Sequence, residues 1–130
     1  MNDLNELRYY IYGVFPVKFV PTQDGGLAVL KLDTQTGLFE HAPDYLHRIL
    51  YARDDVERVD EHEFIQQTEA LRARNLTGDG PVFALYQLMN SIEDVAEQEG
   101  RSTTDEERAL IAELRRESHA LFQALHPDPE

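Results

Sequence analysis

Glu40, His41, Asp44 and His47 put two imidazoles and two carboxylates into one short stretch, and a strand-to-helix corner would bring them together. Two imidazoles and a carboxylate are a donor set that zinc accepts. The pattern is weak, because no HExxH pair accompanies it and five histidines scattered over 130 residues meet by chance. Surface histidines are the preferred reading. Asp54, Asp55, Glu57, Asp60, Glu61 and Glu63, with His62 among them, form the densest group of hard ligands, of the kind that holds Mg, Ca or Mn. Their spacing is not that of an EF-hand loop, Asp60 is claimed by a helix cap, and Arg53 and Arg58 offset their neighbours. A solvated, structural role is expected there.

Thr77-Gly78-Asp79-Gly80-Pro81 precedes a helix and would cradle a phosphate on its backbone amides. It lacks the lysine of a P-loop, no clear strand leads in, and Asp79 repels an anion, so a loop and helix start is expected. Ser91, Ser102 and Ser118 fall in helix or cap contexts and none occupies a GxSxG turn, which disfavours a serine triad. Zero cysteines exclude disulfides, thiolate metal sites and thiol nucleophiles. The sequence assigns no catalytic, cofactor-binding or metal-ligating residue.

What remains is surface contact. If Tyr9, Ile11 and Phe15 face the core, Tyr10, Tyr12 and Val14 face away and make a sticky patch of the kind seen at interfaces. Phe83 stands on the otherwise polar side of its helix with Gln87 and Asn90. Tyr10, Tyr12, Val14 and Phe83 are the candidate partner-binding residues. Helices over both sheet faces, or a bulge at Gly13 that changes the parity, would cover the tyrosines instead, and such burial is the more ordinary outcome.

The elements that must position these residues are legible from periodicity. From Tyr9 to Phe19 apolar residues recur at odd positions, the period of a strand. Asp24-Gly25-Gly26 supplies a hairpin turn before Leu27–Asp33 returns. Pairing Phe19 with Leu32 sets Lys18 against Asp33, whereas a slip of two residues opposes Lys18 to Lys31, so the first register is expected. A second turn, Thr34 to Gly37, sets Leu32 across from Phe39 and Lys31 across from Glu40. Pro16 and Pro21 suit edge or terminal positions, which points to strand one as an edge.

Pro43 opens a short helix with Tyr45, Leu46, Ile49 and Leu50 on one side, and Asp54–Val59 is ambiguous. Asp60 and Glu63 have capping-box spacing ahead of a helix striped by Phe64, Ile65, Thr68 and Leu71 that ends by Asn75. Val82, Leu85, Met89, Ile92 and Ala96 stripe the next helix, which Gly100 stops. Ile111, Leu114, Ser118, Leu121 and Leu125 stripe a last helix capped by Thr103 or Thr104. The short link makes the last two an antiparallel hairpin. Tyr86, Leu88 and Val95 widen the apolar face of the first, so it is expected to be sandwiched, with the last helix outermost.

The fold class expected is therefore α+β: a small N-terminal antiparallel sheet of about three strands, a short helix, and three longer helices. One domain is expected over residues 1–125, with 126–130 a flexible tail. The charge is -13, and residues 76–130 carry 12 acidic against 4 basic residues. Such a surface repels nucleic acid and favours a basic protein partner. Asp3 and Glu6 outweigh Arg8 and no small-residue cleavage site follows Tyr9, so no signal peptide, no membrane segment and a cytoplasmic location are expected. The function expected is a small acidic, non-enzymatic, bacterial-type protein that binds a partner stoichiometrically, in the manner of an inhibitor or immunity protein, an antitoxin or a secretion chaperone. A metal-dependent hydrolase or metal-binding protein using the His41/Asp44/His47 corner or the Asp54–Glu63 cluster is the alternative, and an acidic DNA mimic the third reading. A homodimer through the strand face around Tyr10, Tyr12 and Val14 is also expected.

Overall fold

Period-two alternation does build antiparallel sheet, but the run from Tyr9 to Phe19 is two strands rather than one. In the structure, a computed structural model that describes residues 6–51 and 55–130, β1 (Arg8–Tyr12) turns at Gly13-Val14 into β2 (Phe15–Pro21). Tyr12 lies across from Phe15 and Tyr10 across from Val17. Gly13 thus opens a two-residue hairpin turn, and its N–H donates to the Asp55 carbonyl at 2.6 Å.

The next hairpin, into β3 (Leu27–Leu32), corrects the expected register: Phe19 faces Val29 and Lys18 faces Leu30. The cause is the turn. Thr22 N–H donates to the Gly26 carbonyl, and Gly25 at φ 84° takes the left-handed position of a three-residue loop that a two-glycine turn would not use. Asp24 locks it by accepting from the Thr22 hydroxyl and from Gly26 N–H, and these bonds hold its carboxyl below the usual range. Turn geometry outweighed the charge pairing. β4 (Phe39–His41) then pairs Leu32 with Phe39 and Lys31 with Glu40, as expected.

β5 (Val56–Val59), from the ambiguous stretch, returns to pair antiparallel with β1. The sheet has five strands in the order β4-β3-β2-β1-β5, against the three expected. Pro16 and Pro21 do sit near the ends of β2, but β2 is interior and the edges are β4 and β5.

Compactness is organised in two units within the stretch expected as one domain. The first holds the sheet, α1 (Asp44–Leu50), the start of α2 (Glu61–Asn75) and residues 128–130. One face of its sheet buries Tyr10, Val17, Phe19 and Val29 with Ile49 of α1. The other carries Leu30, Leu32 and Phe39, with Phe64 of α2 stacked on Phe39 at 5.6 Å. Residues 126–130, expected as a flexible tail, carry contacts: buried Lys18 pairs with Asp128, and the His41 ring meets the Glu130 carbonyl at 3.0 Å. Asp60 caps α2 as expected, accepting from Glu63 N–H at 2.8 Å.

The second unit holds residues 34–37, the body of α2, α3 (Pro81–Gln98) and α4 (Asp105–Leu125). Gly80 and Pro81 start α3. It ends in a Schellman motif, Gly100 N–H to the Glu97 carbonyl and Arg101 N–H to the Ala96 carbonyl. Thr104 and Glu107 form a reciprocal capping box on α4. Arg101 grips Glu107 as well, and that bond holds the Glu107 carboxyl at about 2. The stripes bury Val82, Met89, Ala96, Ile111, Leu114 and Ser118. Two expectations fail here. Leu88 and Val95 are exposed, so α3 is not covered all round its apolar arc, and Leu125 is exposed while Phe122 takes the buried end of α4.

Candidate functional site

The His and carboxylate corner, weighed as the alternative to surface histidines, is not grouped to hold a metal ion among the described residues. His41 ends β4 beside Glu130, and His47 packs its ring on Tyr51 within 4.6 Å. Of the acidic cluster, Asp54 lies outside the described residues, Asp60 caps, and Glu61 accepts from the Tyr9 hydroxyl at 2.9 Å. Burial, with this carboxylate adding to it, pushes the Tyr9 hydroxyl up to about 12. Among the described residues no three His, Asp or Glu side chains are grouped to hold a metal ion.

The outward-facing tyrosine patch is corrected. Tyr10 is 8% exposed, its ring 4.9 Å from Phe19, because α1 lays Ile49 on the face it occupies and parity alone does not choose an open one. Tyr12 is half-buried edge-on to Tyr45, and only Val14, at the turn, stands in solvent. Phe83 packs edge-on to Tyr86 and against Gly78, where an added Cβ would come within 2.8 Å of the ring. It lines a cavity of about 210 Å³ with Ala73, Leu76 and Asn90.

The group of ionisable side chains that the structure does bring together lies in the second unit. Glu69 of α2 is fully buried, and Arg72, one turn on, is 1% exposed. A carboxylate there needs donors, and it has four. Tyr86 Oη and Ser118 Oγ donate to Oε1 at 2.9 and 2.6 Å, and Arg72 Nη1 and His119 Nδ1 donate to Oε2 at 2.7 and 3.1 Å. Burial alone would raise the Glu69 carboxyl, but the bonds from His119, Ser118 and Arg72 outweigh it and hold the group below its usual range. Burial and the same carboxylate drive the Tyr86 hydroxyl upward.

Arg72 spends its remaining donors on the Gly37 carbonyl at 2.9 Å and on Gln123 Oε1 at 2.7 Å, and lies 3.8 Å over the Phe122 ring. Gly37, at φ 77°, can offer that carbonyl only without a side chain, since a Cβ would meet Leu76 at 2.5 Å. Every lone pair that Glu69 presents is thus engaged from within, which makes the cluster a structural anchor of α2 to α3 and α4. It was missed because Glu-x-x-Arg reads as a surface pair. The signal was Ser118, a hydroxyl standing in a stripe otherwise made of Ile111, Leu114 and Leu121.

Two surface features stand out on α3 and α4. Glu106 and Glu117 of α4 are exposed with no ion-pair partner among the described residues, whereas Glu113 pairs with Arg116 and Glu99 with Arg101. Leu88, Val95, Leu110 and Leu125 are exposed large apolar side chains on the same two helices. Among the described residues no helix is long and apolar enough to cross a membrane. No family model, no curated protein and no solved structure matches this chain.

Proposed function

We propose that the protein is a small acidic binding protein, non-enzymatic, that acts by stoichiometric contact with a basic protein partner, as inhibitors, antitoxins and secretion chaperones do. The observation that carries the reading is the coincidence on α3 and α4 of exposed apolar side chains with Glu106 and Glu117, which have no ion-pair partner among the described residues. Apolar contact supplies affinity, and an acidic rim supplies steering and choice of partner. The buried Glu69 cluster supports the reading from the other side, because its ionisable groups are occupied in holding helices together.

The test is capture of a partner by the tagged full chain, followed by reconstitution from two purified proteins. A complex of fixed 1:1 mass is expected, with a basic partner and an affinity that falls as salt rises from 0.05 to 0.5 M. Failure to reconstitute any captured protein at fixed stoichiometry ends the proposal.

A further inference from the structure

The helical phases of α3 and α4 define a second seam on the hairpin. On α3 the side toward α2 is marked by Tyr86, bonded to Glu69, and by Asn90, whose Nδ2 donates to the Ala73 carbonyl at 2.9 Å. On α4 it is marked by His119 and by the Ala112 carbonyl, which accepts from Gln66 at 3.0 Å. At about 100° per residue, Leu88 and Val95 lie roughly 140 to 180° from Asn90 and Tyr86, and Leu110 roughly 160 to 180° from Ala112 and His119. Those three leucine and valine side chains therefore flank the hairpin on the side away from α2, at 47%, 46% and 47% exposure.

Along α4 the same row runs Glu106, Leu110, Glu113, Glu117, at spacings of four, three and four. An apolar seam between two helices with carboxylates along one bank has the chemistry of a groove that takes a third helix. A second copy of this chain fits it poorly, because Glu106 and Glu117 would face their own counterparts within a segment that carries 12 acidic and 4 basic residues. An anionic lipid surface is repelled for the same reason. The complement is a cationic helix.

We propose that the outer seam of the α3–α4 hairpin docks a basic amphipathic helix of the partner protein, its apolar face on Leu88, Val95 and Leu110 and its Lys or Arg side chains on Glu106 and Glu117. The stretch from Glu106 to Glu117 is about 17 Å of helix, so about three turns of the partner are engaged. This rests on the protein-binding reading and names the surface and the ligand for it.

The experiment titrates the full chain into a labelled, monomeric 18-residue synthetic peptide with leucine on one helical face and lysine on the other, beside a leucine and glutamate counterpart. The lysine peptide binds and the glutamate peptide does not. Leu110→Gln weakens binding by about tenfold, and Glu106→Gln with Glu117→Gln weakens it severalfold and flattens its salt dependence. Glu40→Gln with Glu57→Gln, which removes the same charge from the first unit, leaves binding unchanged. Equal loss from that control pair would reduce the effect to general attraction by acid and overturn the seam. So would indifference to Leu110→Gln, or a species of twice the mass that forms already at or below about 0.15 M salt and that Leu110→Gln dissolves, which would make a second copy the occupant. The captured partner separates this proposal from the broader one: a 1:1 complex that survives Leu110→Gln sinks the seam and leaves the binding function standing.

Discussion

Glu69 and Arg72 show how a single pair can be worth more broken than made. Each charge gives up water to enter the second unit, and each recovers it only through partners on other elements: Tyr86, Ser118 and His119 for the carboxylate, Gly37 and Gln123 for the guanidinium. Removing one partner leaves the other charge buried. Glu69→Ala is therefore expected to cost about 3 to 5 kcal/mol, read by chemical denaturation, while Glu113→Ala at an exposed pair changes little. The pH dependence carries a sign. The folded value of Glu69 is depressed from an unfolded value of about 4.3, so its contribution is full above that pH and is lost as pH falls through the folded value. The stability gap between the native chain and Glu69→Gln should accordingly close on acidification. A gap that stays constant from neutral pH to pH 3 would mean that Glu69 is not held as a carboxylate.

Elements were legible in proportion to how local their causes are. Caps announced themselves: Asp60, Thr104 and the Gly100 stop each depend on three or four consecutive residues, and each forms as its spacing requires. Helical stripes were legible too, with the exception of their far ends, where Leu125 gave way to Phe122. Strand register was not. A five-residue segment, Thr22 to Gly26, chose a three-residue loop and shifted Phe19 from Leu32 to Val29, a preference set by Gly25 and the Asp24 side chain rather than by cross-strand charge. β5 stayed hidden because four half-buried residues, VERV, alternate too briefly to declare a period. At this scale two substitutions report on the phase. Leu114→Ala should cost about 2 to 5 kcal/mol as a core truncation, and Asp60→Ala about 1 kcal/mol through the lost cap, each by thermal or denaturant melting. A Leu114 effect no larger than that of Asp60 would misplace the buried face of α4.

Across the whole chain, the charge of -13 and the exposed apolar side chains pull in opposite directions, and ionic strength sets the balance. The sequence disclosed the charge and pointed to an apolar surface patch, but the period-two parity placed Tyr10 on an outward face. Tyr10 is buried and Tyr12 half-buried, whereas Leu88, Val95 and Leu110 are among the exposed large apolar side chains and differ from buried neighbours such as Met89 and Ile111 only by rotation about a helix axis. That rotation is invisible until a third helix fixes which way each stripe points. Of the face expected to dimerise, Tyr10 is buried, Tyr12 is half-buried and Val14 is exposed. Self-association through the α3–α4 seam would bring Glu106 and Glu117 of two copies against their like. At 0.01 M salt, with a screening length of about 30 Å, repulsion dominates, and static light scattering should return the 15.0 kDa of one chain at all concentrations. At 1 M the length falls to about 3 Å, the carboxylates cease to oppose contact, and the apolar seams are free to pair. The expected result is a mass that rises with salt and that Leu110→Gln returns to one chain. A dimer already complete at low salt, or one that Tyr12→Glu rather than Leu110→Gln dissolves, would restore the sheet as the sticky surface.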